Sequence, residues 1–401
     1  MSADPVVVVG AGPGGAAVAL ALARRRIPIR LVEAEPVLAK DLRAGTFHPP
    51  TVEILASLGL GERMLEMGIQ VPVWQIRDRR LGVVAEFDLG LLADVTPFPF
   101  RLHCEQHKMT ALALEELKSN PEADIRFATR FVSAKADADG VTVTLSGPGG
   151  TEECRASFLI GADGARSMVR KAADIDFPGY TWPERFLVVS TFHDFAKDGF
   201  AMNAYIADPQ EWVAIFKMPH EGPPGLWRLA FPIKPEFPDE EALSKPFCQR
   251  LVQGFLPRAE PYAFAYRSIY RVHQRVAATF DRGRIVLLGD AAHVNNPLGG
   301  MGLNSAVQDA ANLAEKLARI LNDGASLDLL GRYTRQRRTT NIEFIQAQSV
   351  RNKQLLEERD PAIRQRKLDE LRAIAADPAR ARAHLMRSSM IESMRRAESI
   401  A

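Results

Sequence analysis

An α/β fold is predicted for this 401-residue chain, with a discontinuous nucleotide-binding domain, a mostly β second domain and a helical C-terminal tail. Three observations predict it. Residues 5–33, PVVVVGAGPGGAAVALALARRRIPIRLVE, run from a β-branched stretch through a glycine turn and an alanine-rich helix to a second apolar stretch, which is one βαβ unit. Strand-like runs at 141–145, 158–161 and 285–289 end in glycine or acidic turns, so the same α/β domain is revisited late in the chain. Between about 174 and 280, Trp182, Trp212, Trp227, Tyr180, Tyr205, Tyr262, Tyr266 and Tyr270 interleave with prolines and short alternating segments such as WRLAFPI.

The boundaries that follow are 1–173 for the first part of the nucleotide-binding domain, with early pocket-lining insertions, 174–280 for the β domain, 281–340 for the return segment and 341–401 for the tail. The aromatic block supplies a pocket wall, although for any single ring a place in the core is the simpler reading. The tail, EERDPAIRQRKLDELRAIAADPARARAHL, is charged on most faces and restarts twice at Asp-Pro. It is expected to be peripheral, with its arginines on a solvated surface.

Composition excludes several classes. Hydrophobic residues make up 46% of the chain, enough for a packed core, and 51 Lys and Arg balance 49 Asp and Glu, so no basic field argues for nucleic acid. The start lacks a signal-peptide pattern and no long apolar run argues for a membrane span, so a cytoplasmic location is expected. Cys104, Cys154 and Cys248 are odd in number and lack CxxC spacing, which argues against a disulfide framework and against a metal site.

Three motifs carry chemistry. Gly10-x-Gly12-x-x-Gly15 follows a strand and opens a helix: Gly10 permits the tight turn, Gly12 lets the backbone approach a pyrophosphate, and Gly15 lets helix and strand pack closely. Glu33 closes the second strand, where a carboxylate accepts both hydroxyls of an adenosine ribose and favours FAD or NAD over a 2′-phosphate. This makes the domain Rossmann-like. In FLIGADGARSMVRK, Asp163 and Gly164 form a turn before a basic helix, with Arg166 and Ser167 able to face phosphate or ribose groups. In GDAAHVNNPLGGMGLNSAVQDAANLAEKL, Gly289 and Asp290 stand at a strand end, with Asp290 placed to accept from a ribityl or ribose hydroxyl. From Leu303 onward, Ala306, Val307, Ala310, Leu313, Ala314 and Leu317 follow helical spacing. Gly299, Gly300 and Gly302 strip side chains from the point where that helix exposes its free N–H groups, which suits an anion or an electron-rich ring.

In this order and at these separations the motifs resemble the single-component flavoprotein aromatic hydroxylases, the para-hydroxybenzoate hydroxylase-like class A monooxygenases. The resemblance extends from residue 5 to about 335. LRAGTF puts Arg43 where the family has an arginine near the flavin, and Gln106 heads a helix where members contact the cofactor chain. The resemblance implies FAD as cofactor, NADH or NADPH as hydride donor, and transfer of one oxygen atom from O2 to an aromatic ring through a C4a-hydroperoxyflavin. It implies that Gly10, Gly12, Pro13, Gly14 and Gly15 bind pyrophosphate, Glu33 the adenosine ribose and Asp290 the ribityl or diphosphate side. Asp163 and the arginine after it would serve FAD and the approach of the nicotinamide. Pro297 would lie beside the isoalloxazine, with Gly299, Gly300, Met301, Gly302, Leu303 and Asn304 against its pyrimidine edge. The helix would then aim at flavin N1 and O2 and stabilise negative charge there by about 0.3–2 kcal/mol.

On the substrate side the candidates are weaker. Arg228 is a carboxylate clamp or a surface ion pair, Tyr205 and His193 are phenol contacts or core, and His293 packs near the cofactor. His48 either faces the active site or satisfies its own turn. The family's large phenol hydroxylases carry a thioredoxin-like C-terminal domain, for which the tail leaves no room. Two asparagines precede Pro297 where relatives often have an apolar residue, so an N-heteroaromatic or hydroxylated ring is as consistent as a simple benzoate. Two rivals remain: another flavin oxidoreductase, whether an isoprenoid-type reductase or a halogenase (though the WxWxIP segment is missing), and a non-catalytic FAD redox sensor. Arg24, Arg25 and Arg26 could meet a 2′-phosphate but more simply match a helix C-terminus. A homodimer is the family-weighted expectation.

Overall fold

The chain is described here by a computed structural model covering residues 4–40 and 45–401; Arg43 lies outside the described residues. Two large sheets organise it. The first has six strands in the order 281–282, 285–287, 158–161, 6–9, 29–32, 123–126, parallel throughout except for its 281–282 edge. Val6–Val9 lies at its centre with all four valines buried, as a parallel strand covered on both faces requires. The helix Pro13–Ala23 packs between this sheet and the helix Met301–Asp323, and alanines on its buried faces allow the close approach. The strand expected over 285–289 stops at Leu287, and the late helix starts at Met301, one half-turn before the expected Leu303.

The run at 141–145 belongs elsewhere. It forms the middle of a separate antiparallel meander, Arg130–Ala136, Val141–Gly147 and Gly150–Ala156. Its burial alternates residue by residue, the signature of a sheet covered on one face only.

The second large sheet has eight strands in the order 293–294, 264–276, 179–191, 226–233, 213–218, 203–207, 73–78, 82–88. Its last two strands are contributed by an early hairpin, Val73–Asp78 with Gly82–Asp88, which joins through a parallel pairing of Val73–Asp78 with Asn203–Ala207. Trp212, Trp227, Tyr205 and Tyr262 are core residues, whereas Tyr180 and Tyr266 are exposed.

The C-terminal helices are not peripheral. Asp360 and Asp377 cap Pro361–Ala376 and Pro378–Ser388 through the N–H groups of the second and third helical residues, as the Asp-Pro pairs predict. Leu368, Leu371, Leu385, Met386 and Ile391 then pack into one core with Trp74, Phe87 and Trp212, covering the early hairpin. An Arg364–Asp78 ion pair joins tail and hairpin at the same place. The sparse apolar stripe among many charges finds its partner only in the tertiary structure. No helix among the described residues is long and apolar enough to cross a membrane.

The first glycine motif makes two opposite demands. A Cβ on Gly15 would lie 1.9 Å from the Gly10 carbonyl oxygen, whereas a Cβ on Gly12 would meet nothing within 4 Å. Gly15→Ala is therefore expected to destabilise the cofactor-free protein by roughly 3 kcal/mol or more, and Gly12→Ala to change it by less than about 0.5 kcal/mol. Denaturant midpoints of the two variants check the contrast.

Candidate active site

A cleft of about 460 Å³ runs between the two large sheets. At one end it is lined by Gly12, Pro13 and Gly14, the first turn of Pro13–Ala23; farther along, by Gly300, Met301, Gly302 and Leu303, the first turn of Met301–Asp323. Both helix starts lack a side-chain cap. Two sets of orphan N–H groups and two positive dipole ends therefore open on one cavity. Gly12 is open toward it, so a ligand can approach the backbone there as the motif requires. Glu33 stands beside this end, its carboxylate accepting the N–H of Ala11 at 2.8 Å and of Glu35 at 3.0 Å, with lone pairs left for ribose hydroxyls.

The second motif contributes backbone more than carboxylate. Asp163 accepts the hydroxyl of Ser167 and the N–H groups of Met168 and Val169, so it caps its own helix, while Ala162, Gly164 and Ala165 line the cleft. Arg166 is exposed. The buried arginine of this segment is Arg170, which sequence reasoning missed. It is 5% exposed and donates to the carbonyls of Ala291 and Ala165, tying the second motif to the third.

The third motif is held by a second residue that was missed. Asp309 is fully buried and accepts the Gly289 N–H at 3.1 Å, His293 Nε2 at 2.6 Å and Arg337 Nε at 2.6 Å. Burial alone would raise its pKa, but His293 and Arg337 hold it down at about 2. A carboxylate on the apolar face of the helix, between Val307 and Ala310, was the signal available. His293 thus serves the turn, and Asp290 is exposed at the cleft wall.

Between this turn and the helix, the loop 295–300 carries the cleft floor. Gly299 and Gly300 have φ of +117° and +63°, a region that disfavours side chains. His48 and Tyr205 do not line the cavity. They clamp the Gly299 peptide from behind: its N–H donates to the Tyr205 hydroxyl at 2.6 Å, and its carbonyl lies 2.8 Å from His48 Nε2. Asn304 is also behind the surface, its amide accepting His48 N–H and donating to the carbonyls of Thr46 and Gly300. The two asparagines before Pro297 divide their work. Asn296 is buried and bonded to Gln274 and the Leu298 N–H, whereas Asn295 lines the cleft and has a buried Oδ1 with no partner among the described residues.

Beyond Pro297 the wall becomes apolar, with Phe186, Val188, Phe216, Tyr270 and Val272 from the eight-stranded sheet. Arg228 projects into it from Leu226–Ile233. It is 6% exposed and 3.7 Å from the equally buried Glu105, so it is no surface ion pair. Burial pushes the Glu105 carboxyl up, but the hydrogen bond and charge of Lys108, with the charge of Arg228, bring it below the ordinary range. Gln106, the residue after Glu105, also lines the cleft. His193 is elsewhere, paired with Asp198 at 2.7 Å and packed on Phe195 and Tyr262 in the far core of the sheet.

A family model described as FAD binding domain matches residues 4–348. The chain belongs to this family. It is 36% identical over 364 residues to para-nitrophenol 4-monooxygenase of Pseudomonas sp. (strain WBC-3), covering 90% of this chain and 89% of that one. It is 32% identical over 348 residues to 6-hydroxy-3-succinoylpyridine 3-monooxygenase HspB of Pseudomonas putida (strain DSM 28022 / S16), covering 86% and 87%. The crystal structure of p-nitrophenol 4-monooxygenase PnpA from Pseudomonas putida DLL-E4 superposes with a TM-score of 0.92 at 32% identity, covering 98% of each chain. This protein is thus a class A flavoprotein aromatic hydroxylase, an FAD-dependent monooxygenase that draws on NAD(P)H. The redox-sensor and non-oxygenase alternatives fall away.

Two buried histidines and one partly buried give the hydroxylase a pH signature. Burial, with the charge of Arg101, lowers His48 to about 3 and His384 to about 4; burial lowers His103 to about 4, with Arg101 and Arg228 assisting. Each binds its proton more tightly when unfolded, at about 6.5, so each contributes stability that is present above that pH and lost as pH falls toward the folded value. Unfolding free energy in urea is expected to fall between pH 6.5 and 4, by up to about 1.4 kcal/mol per pH unit for each histidine. His103→Gln should reduce that slope by one histidine's share.

Proposed function

We propose that FAD extends along the cleft, with its pyrophosphate at Gly12, Pro13, Gly14 and Gly15, its adenosine ribose at Glu33 and its ring beside Pro297 and the Gly299–Asn304 segment. The observation that carries this reading is the pair of uncapped helix starts opening on one cavity. Bound there and reduced by NADH or NADPH, FAD supplies the activation of O2. The chain's own residues do the rest. The backbone N–H groups after Gly300 stabilise negative charge on the pyrimidine edge, and the sheet wall excludes water from the reacting ring.

We further propose a single-ring phenol carrying a polar para substituent as substrate, as the likeness to para-nitrophenol 4-monooxygenase supports. The electrostatics favour it. Arg228 is partly neutralised by Glu105, so the apolar pocket offers a donor to a nitro or phenolate oxygen without demanding a full carboxylate. The unpartnered Oδ1 of Asn295 is an acceptor for a hydroxyl. A hydroxypyridine is the second reading, favoured by the same asparagine and by the likeness to the succinoylpyridine enzyme. A cytoplasmic setting fits the three free cysteines, and a homodimer is carried over from the family resemblance.

The test is a screen of nitrophenols, hydroxybenzoates and hydroxypyridines for compounds that accelerate NAD(P)H oxidation, with isotopically labelled O2 followed into the product. Labelled product from a para-substituted phenol supports the reading; label only from carboxylate-bearing benzoates contradicts it. Arg228→Gln is expected to raise the KM of the best substrate by about 10–100-fold, the equivalent of about 1.5–3 kcal/mol for a hydrogen bond to a charged group.

A further inference from the structure

Behind the Gly299 peptide, away from the cleft, four buried polar atoms have no partner: Arg101 Nε, Trp74 Nε1, His384 Nε2 and His48 Nδ1. They gather around Arg101. Its guanidinium lies 4.6 Å from the Trp74 ring centroid, and Trp74 stacks on His384 at 5.7 Å and meets the edge of Tyr205 at 5.8 Å. Arg101 is only 2% exposed, Trp74 2% and His48 fully buried. Among the described residues Arg101 Nε has no hydrogen-bond partner, and the guanidinium packs on the Trp74 ring. It stays charged nonetheless, since burial lowers it only to about 10.

This is an unusual arrangement. A guanidinium carries five N–H donors, and a single ring contact does not replace the water it has given up. The groups nearest to it offer no counter-charge. His48, His103 and His384 are all neutral at pH 7, and Tyr205, its one favourable electrostatic neighbour, is pushed upward by burial and so stays un-ionised. His48 Nε2 faces the Gly299 carbonyl, which makes it the protonated nitrogen and leaves Nδ1 as a lone pair. Two of these unpartnered groups are donors, Arg101 Nε and the indole N–H of Trp74, and they lie beside one uncompensated positive charge. A dication would be repelled, and a neutral molecule would leave the charge uncompensated.

We propose that Arg101 and Trp74 form a binding site for a small monovalent anion, of halide or small-carboxylate size, on the rear side of the loop that faces the flavin. The occupant would sit next to Tyr205 and His48, the two side chains that hold the Gly299 peptide. Anion occupancy would therefore stiffen the floor of the cleft without entering it.

The test is made on the FAD-loaded full chain. Crystals soaked in bromide should show an anomalous peak in contact with the Arg101 guanidinium and the Trp74 indole nitrogen. In solution, chloride and bromide should raise the melting temperature saturably above that in sulfate at equal ionic strength. Acetate in place of halide separates the two sources: a matching rise means that the site also takes carboxylates, and no rise restricts it to halides. Trp74→Phe, which keeps the ring and removes the donor, should weaken the half-saturating halide concentration several-fold, and Arg101→Met should abolish the response. Water rather than bromide at Arg101, a bromide peak only at Arg228, or a melting response that sulfate reproduces would overturn the proposal. If Arg101→Met does not fold, the anomalous peak and Trp74→Phe decide.

Discussion

One buried carboxylate holds the late segment of the chain in place. Asp309 binds the Gly289 N–H of the third motif, the His293 that follows it and Arg337 from the next helix, all without solvent. Breaking one partner of such a buried charge group costs on the order of 3–5 kcal/mol, more than any single apolar contact around it. Because Asp309 sits on Met301–Asp323, the same interaction sets where that helix begins and how far its first turn reaches into the cleft. Asn304, nearer the helix start, repeats the device with neutral groups, joining the helix to the Thr46 and His48 backbone. The helix is thereby pinned at two points to different parts of the fold, and its free N–H groups have a defined direction.

That direction gives the cleft its chemistry. A flavin dinucleotide carries negative charge at its pyrophosphate always and at its pyrimidine edge when reduced, and in the proposed binding mode the two uncapped helix starts that line the cleft would meet these two places. Each contributes a fraction of a kcal/mol to about 2 kcal/mol, so neither alone makes a binding site; dinucleotide affinity requires both together with close backbone approach at Gly12. The apolar sheet wall beyond Pro297 keeps the local dielectric low, which strengthens those modest terms.

The glycine motifs were legible because their requirement is local. Gly15 must lack a Cβ whatever the rest of the chain does, and the helical spacing after Met301 is visible in any window of the sequence. The non-local features were not legible in this way. That Val73–Asp78 would pair in parallel with Asn203–Ala207 depends on a contact across more than a hundred residues, and the tail's apolar stripe acquires meaning only against Trp74 and Phe87. The same limit applied to the site. Tyr205 and His48 were visible as polar residues near the pocket, but their service to the Gly299 peptide depends on which side of the loop they occupy. Asp163 has the residue type of a ligand contact and the geometry of a helix cap.

The most direct measurement is the protonation state of the reduced flavin in the holoenzyme. Anaerobic reduction followed by absorption across a pH titration should show the anionic reduced form persisting to mildly acidic pH, below the point at which free reduced flavin becomes neutral, if the start of Met301–Asp323 faces N1 and O2 as proposed. A reduced spectrum that is neutral at pH 7, or that titrates as free flavin does, would contradict the account.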